Sequence, residues 1–190
     1  MKFSTDIVII DLEASCKTFG ANQIAESNII EIGAVKLDKK SLEIIDEFSE
    51  LIQPADYPVL PQIAEITGIT QEMVSDKPFF DEVMAQFIQW YGNRNKSILA
   101  GWGLYYDLPL LRKECDRFGI DYGRSFVGGG FDIKGLAYLW LAKNKRSTTG
   151  ISIDRILDKM NLDVDFDFHR ALDDAKATAL ILKKVAEEYG

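Results

Sequence analysis

Histidine is almost absent from this chain: His169 is the only one in 190 residues. Cysteine is scarce as well. Cys16 and Cys115 cannot build a disulfide framework, and no CxxC or Cys/His spacing suited to zinc occurs, which points to a reducing compartment. Long apolar runs are missing too. The first one, Ile7-Val8-Ile9-Ile10, meets Asp11 after four residues, too short for a signal-peptide core or a membrane span. The expectation is a cytoplasmic protein with no membrane attachment. Positive charge is in deficit, with 22 Lys and Arg against 30 Asp and Glu for a net charge of −8. That argues against broad nonspecific binding to nucleic acid, which needs a basic surface. It leaves open a metal enzyme acting on nucleic acid, because clustered carboxylates are neutralised only when divalent cations bind. Neither repeats nor a low-complexity linker interrupt the chain, so its length fits one domain over residues 1–190.

Apolar residues, 47% of the total, suffice for a sizeable core, and their spacing defines the elements. Residues 6–12 are short, continuous and β-branched, as in a buried strand. Residues 28–38 and 42–53 read as two further strands joined by the polar turn Asp38-Lys39-Lys40-Ser41, hence a hairpin. Pro54, Pro58 and Pro61 then break regular structure, and Thr70 is placed to cap a short helix. Pro78 opens a helix to about Tyr91, with Phe79, Val83, Phe87 and Trp90 on one face. A fourth strand over 97–101, a helix over 107–118, a short fifth strand at 131–133, a helix to about Lys143, another from Thr149 or Ser152, and a last helix over 170–188 complete the pattern. Strands with hairpin signals followed by alternating strand and helix predict an α/β fold, a mixed five-stranded sheet with helices on both faces.

Asp11 and Glu13, two residues apart, project from the same face of a strand. Side by side they repel, and burying them is costly unless a cation offsets the charge. Mg²⁺ or Mn²⁺ would suit such oxygen ligands. A strand end emerging into solvent explains the pair equally simply. Asp174 shares the inward stripe of the last helix with Thr178, Ile181 and Val185, and no basic residue shares that face nearby. Asp173 lies off the stripe, as a first-turn acid complementing the helix dipole. His169, five residues before Asp174, would point about 140° away from it on a continuous helix. It can reach the same site only from a loop entering the helix, where an imidazole could accept a proton from water. An ordinary solvated or capping histidine is the alternative. Asp107 follows a strand directly and either starts the next helix or joins a site at the strand end.

Asp11-Leu12-Glu13, Tyr106-Asp107 and His169-x₄-Asp174, in that order, resemble the three motifs of the DEDDh exonucleases, which have an RNase H-like fold and degrade nucleic acids from the 3′ end. Ile30-Glu31-Ile32-Gly33-Ala34 and Thr67-Gly68-Ile69-Thr70 match as well, so the resemblance runs from about Asp6 to Glu188. Asp11-Leu12-Glu13-Ala14-Ser15-Cys16 is most similar to the branch of small 3′-exoribonucleases that trim histone mRNA ends and small RNAs. The resemblance implies an RNase H-like sheet and two divalent cations, Mg²⁺ or Mn²⁺, roughly 4 Å apart. Asp11 would bridge them, Glu13 and Asp174 would complete the first, and Asp107 would serve the second through water. His169 would take a proton from the attacking water, and a nucleoside 5′-monophosphate would leave. Leu12 and Ala14 would pack against the terminal nucleotide; Tyr106 and Trp102 would stack on bases or belong to the core. The implied partner is the 3′ end of single-stranded RNA, with a protein partner supplying affinity that an acidic chain without an added RNA-binding segment lacks. Lys143, Lys145 and Arg146 form the densest basic run, either a solvated turn or a guide for the phosphate backbone. Two alternatives remain: a proofreading-type DNA exonuclease working with a polymerase, and a regulatory module of the same fold without activity. The five intact site residues count against the second.

Overall fold

The computed structural model describes residues 2–17, 23–164, 166 and 169–189. Five strands, β1 (Asp6–Cys16), β2 (Ser27–Leu37), β3 (Ile44–Leu51), β4 (Ser97–Gly101) and β5 (Phe131–Asp132), form one sheet in the order β3-β2-β1-β4-β5. β1 pairs antiparallel with β2 and parallel with β4, and β3 pairs antiparallel with β2. The sheet is therefore mixed, the RNase H-like arrangement. β1 runs on past the expected limit at residue 12, because Ala14–Cys16 keep pairing with Ile29–Ser27 beyond a bulge at Glu13/Ala14. Asp11 and Glu13 thus sit inside the strand rather than at an end emerging into solvent.

Alternation along β1 divides the core. Ile7 and Ile9 face one layer, built from α6 (Ile133–Lys143), α7 (Ile153–Met160) and α8 (Ala171–Tyr189). Val8, Ile10 and Leu12 face the other, built from α3 (Phe80–Tyr91), α4 (Asp107–Arg117) and the short α5 (Tyr122–Ser125). Helices accordingly cover both faces. Two short helices, α1 (Pro61–Thr67) and α2 (Gln71–Val74), close a smaller cluster around Ile30, Ile63 and Ile69.

Local departures from the sequence pattern have simple causes. Pro61 starts α1 instead of breaking structure, since a first-turn proline gives up no helical hydrogen bond. Thr70 caps α2 by accepting from the Met73 amide. α3 starts at Phe80, and its inward face is Phe80, Val83, Met84, Phe87 and Tyr91. Phe79, expected on that face, is its N-cap and lies exposed. Ser152 rather than Thr149 precedes α7.

Candidate active site

On β1, Asp11 and Glu13 share the face of Ile7 and Ile9, the side on which α8 packs. β4 pairs with β1 only as far as Ile9↔Ala100. At Gly101 the backbone passes so near Ile10 that a β-carbon would lie 2.8 Å from its carbonyl oxygen. The chain then turns through Trp102 and Gly103 into α4, opening a cleft at the carboxyl end of β4 beside the middle of β1; strand ends are where α/β sheets commonly place their sites. Asp132, capping α6, steadies the turn by accepting the Gly103 amide at 2.9 Å. The cleft is lined by Asp11, Leu12, Glu13, Trp102, Tyr106, Asp107 and Asp174, among others.

Asp174 comes in on the first turn of α8, buried as its place on the inward stripe requires. One oxygen from each of Asp11, Glu13 and Asp174 lies within 4.8 Å of the others. Asp107, in the first turn of α4, is buried in the cleft lining and near enough to Asp11 to raise its carboxyl, but lies outside that close trio. His169 stands two residues before α8, exposed, with φ of 70°. It is therefore on the entering turn, as its spacing from Asp174 demands. That left-handed conformation is uncommon for a residue with a β-carbon and is held by its surroundings. His169 lines a second pocket that meets the cleft at Trp102 and Asp174.

Burial, followed by repulsion from Asp107, Asp174, Glu13 and Glu31, raises the Asp11 carboxyl well above the usual carboxylate range. Burial and the neighbouring acids push Glu13 up to about 9. Asp107 rises to about 7 through burial, with Asp132 adding to the shift. Asp174 rises to about 6 through burial, while the charge and backbone amide of His169 pull it back down. Among the described residues, buried Asp174 Oδ1 meets no hydrogen-bond partner. Hard oxygen donors that hold protons for want of positive charge fit a metal cation with oxygen ligands.

A family model described as exonuclease, of the RNase T type, matches residues 8–182, from β1 into α8. The chain belongs to this exonuclease family. The DNA polymerase III PolC-type protein of Clostridium perfringens is 34% identical over 183 residues, which cover 95% of this chain and 11% of that protein. The 3′-5′ exoribonuclease 1 of Rattus norvegicus is 30% identical over 191 residues, covering 96% of this chain and 53% of that protein. The nuclease domain of 3′hExo, a DEDDh family member solved bound to rAMP, superposes with a TM-score of 0.80 at 25% identity, covering 98% of this chain and 94% of that one. The chain spans about a tenth of the length of the first curated relatives it matches. Asp11, Glu13, Asp107, His169 and Asp174 give the DEDDh order, and this exonuclease-family chain is of that type, related to the 3′hExo branch.

The remaining residues singled out in the sequence divide. Tyr106 and Trp102 both line the cleft, half-buried; the Tyr106 hydroxyl lies 3.5 Å from Ser27 Oγ, and Lys134 stands over the Trp102 ring. Leu12 lines the cleft from a buried position, whereas half-buried Ala14 follows it on β1 without lining the cleft. Lys143, Lys145 and Arg146 line neither this cleft nor the pocket beside it. Lys143 donates to the Glu188 carbonyl and sits over the Tyr189 ring at the far end of α8, about 21 Å along the helix from Asp174. Two features escaped the sequence reading. Tyr105, strongly exposed, lines the cleft beside Tyr106. Glu31, buried on β2, takes an ion pair from Arg170. A lone acid in the apolar stretch Ile29–Val35 is the signal that could have found it.

Proposed function

We propose that this chain is a metal-dependent 3′→5′ exonuclease that hydrolyses the terminal phosphodiester bond of single-stranded RNA or DNA and releases nucleoside 5′-monophosphates. The convergence of the Asp11, Glu13 and Asp174 carboxylates, with an Asp174 Oδ1 that no described residue hydrogen-bonds, carries this reading. Asp11, Glu13 and Asp174 would hold one Mg²⁺ or Mn²⁺ ion, and Asp107 with Asp11 a second. Bound there, the ions supply positive charge to the phosphoryl group and the leaving oxygen. His169 accepts a proton at its imidazole as water adds to phosphorus. The bond from phosphorus to the 3′-oxygen of the penultimate nucleotide breaks, and that oxygen leaves as a hydroxyl once protonated. Leu12 packs against the terminal nucleotide, a role that Ala14, outside the cleft lining, does not share, and Tyr106 and Trp102, with Tyr105 at the rim, offer faces for stacking.

Single-stranded RNA ends are the favoured substrate, a reading supported by the exoribonuclease relative and by the rAMP-bound nuclease domain. A specific observation favours a second reading, DNA proofreading: three relatives named as PolC-type DNA polymerase III are 34% identical. A protein partner supplying substrate affinity is compatible with both. Two buried free thiols support a reducing, cytoplasmic setting, and among the described residues no helix is long and apolar enough to cross a membrane. The test uses matched single-stranded RNA and DNA, labelled at either end, with Mg²⁺ or Mn²⁺ and then with EDTA. Labelled mononucleotide should appear at once from the 3′ label, progressively shortened products from the 5′ label, and neither in chelator. Full activity in excess chelator would refute the metal-dependent mechanism, and cleavage at internal positions would refute the exonuclease.

A further inference from the structure

Glu31 is the only acid of β2 and is 1% exposed. It stands opposite Glu13 in the β1–β2 register, so a further carboxylate adjoins the acidic trio and repels Asp11 and Glu13. A buried ion pair adds little net stability over a well-packed apolar pair. Stabilisation alone therefore gives no reason for an acid at this position.

The contacts of Glu31 supply one. Arg170 donates from Nη2 to Glu31 Oε1 at 2.6 Å and from Nε to both oxygens at 3.2 and 3.3 Å. The Ala171 amide donates to Oε2 at 3.0 Å. Two residues along β2, Gly33 runs directly beneath the same turn, where a β-carbon would lie 2.1 Å from Ala171 C and Leu172 N. Arg170 thus joins two parts of the site. His169 immediately precedes it in the left-handed conformation, and the Asp174 amide donates to the Arg170 carbonyl at 3.0 Å. A guanidinium fork accepts few orientations against a carboxylate, unlike a lysine ammonium.

We infer that Glu31 and Arg170 are positioning residues that hold the turn before α8 so that His169 stays beside Asp174 at the edge of the acidic centre. The inference rests on the exonuclease reading and on the cation fit described above. Glu31→Gln removes the charge of the pair, keeps an acceptor for the Ala171 amide and leaves every carboxylate of the centre in place. Arg170→Lys keeps the charge and loses the fork.

His169 is the chain's only histidine, so its imidazole Cε1–H gives a single NMR line. Mn²⁺ at a small fraction of the protein concentration broadens that line steeply with proximity. In the wild type the broadening should be strong. At equal Mn²⁺ occupancy, fixed by electron paramagnetic resonance, it should weaken in Glu31→Gln and in Arg170→Lys. The single-turnover rate should fall by up to about a hundredfold, the scale of a 1 Å misplacement, while KM and Mn²⁺ affinity stay near wild type. A merely structural pair would lower the unfolding midpoint without this split between kcat and KM. Wild-type broadening and rate in both variants overturns the inference and leaves the exonuclease reading intact. A wild-type chain that binds Mn²⁺ and cleaves no nucleic acid overturns both.

Discussion

At pH 7 and without a cation, Glu13 retains its proton, and Asp107 and Asp174 titrate close by, because burial and mutual repulsion raise all three. Each group binds protons more tightly folded than unfolded. Between an ordinary carboxylate pKa of about 4 and the raised folded values, the native state therefore holds more protons, and stability falls as pH rises. The metal-free chain should lose stability from about pH 4 upward, through about 6 for Asp174 and about 7 for Asp107, until about 9 for Glu13. Thermal unfolding in EDTA across that range checks the slope. Mn²⁺ should raise the midpoint most at the alkaline end, where the carboxylates are free to bind it. At His169 the expectation concerns rate rather than stability. His169→Ala should slow the chemical step by about 10²–10⁴, read in single turnover, with Mn²⁺ affinity near wild type because an exposed imidazole is not among the trio.

The elements brought their own constraints to the site, some legible in the sequence and some not. The spacing of Asp11 and Glu13 on one strand face, of Asp174 on the inward stripe of a helix, and of His169 ahead of that helix depends only on local periodicity, so the sequence displayed it. Whether Asp11 and Glu13 ended a strand or sat within one depended on pairing with Ile29–Ser27 across a hairpin, which periodicity does not encode. The pairing of Glu31 with Arg170 joins residues 139 apart and has no local signature. Which way the basic run at 143–146 faces has no local signature either; Lys143 lies against Glu188 and Tyr189 at the end of α8. Phe79 was misplaced because one residue of helix phase separates it from buried Phe80. Gly33 was part of a matching stretch with no stated reason, and the close approach of Ala171 supplies it. Gly33→Ala should push the start of α8 off the sheet, cost about 3 kcal/mol or more, at or beyond the usual range for overpacking, and reduce nuclease activity further than stability alone accounts for. Denaturant unfolding alongside a nuclease assay separates the two effects.

For the molecule as a whole, the net charge of −8 sets the mode of substrate binding. Some cations are engaged away from the site: Lys176 and Lys183 of α8 pair with Glu47 and Glu43, and Arg117 pairs with Asp56. Among the described residues, Lys134 and Arg155, in the pocket that adjoins the cleft, are the only lysine and arginine lining either cavity. With at most two phosphates met by these side chains, log affinity for a single strand should fall with log salt with a slope no steeper than about −1.4, at about 0.7 per phosphate. Oligonucleotide binding measured at constant free metal and varied KCl gives that slope. A much steeper one would mean that a basic surface outside the two cavities holds the strand.

The central claim is that α8 delivers one particular carboxylate to the acids of β1 and so completes a cation centre. The most direct measurement is a Mn²⁺ binding titration of the wild type, Asp173→Asn and Asp174→Asn under identical conditions. Both variants remove one negative charge, one residue apart, so bulk electrostatics cannot distinguish them. Asp173→Asn should bind Mn²⁺ as the wild type does and lose only about 0.3–1 kcal/mol of stability at the helix start. Asp174→Asn should lose the site. Wild-type Mn²⁺ binding by Asp174→Asn, or loss of binding in Asp173→Asn alone, would contradict the account.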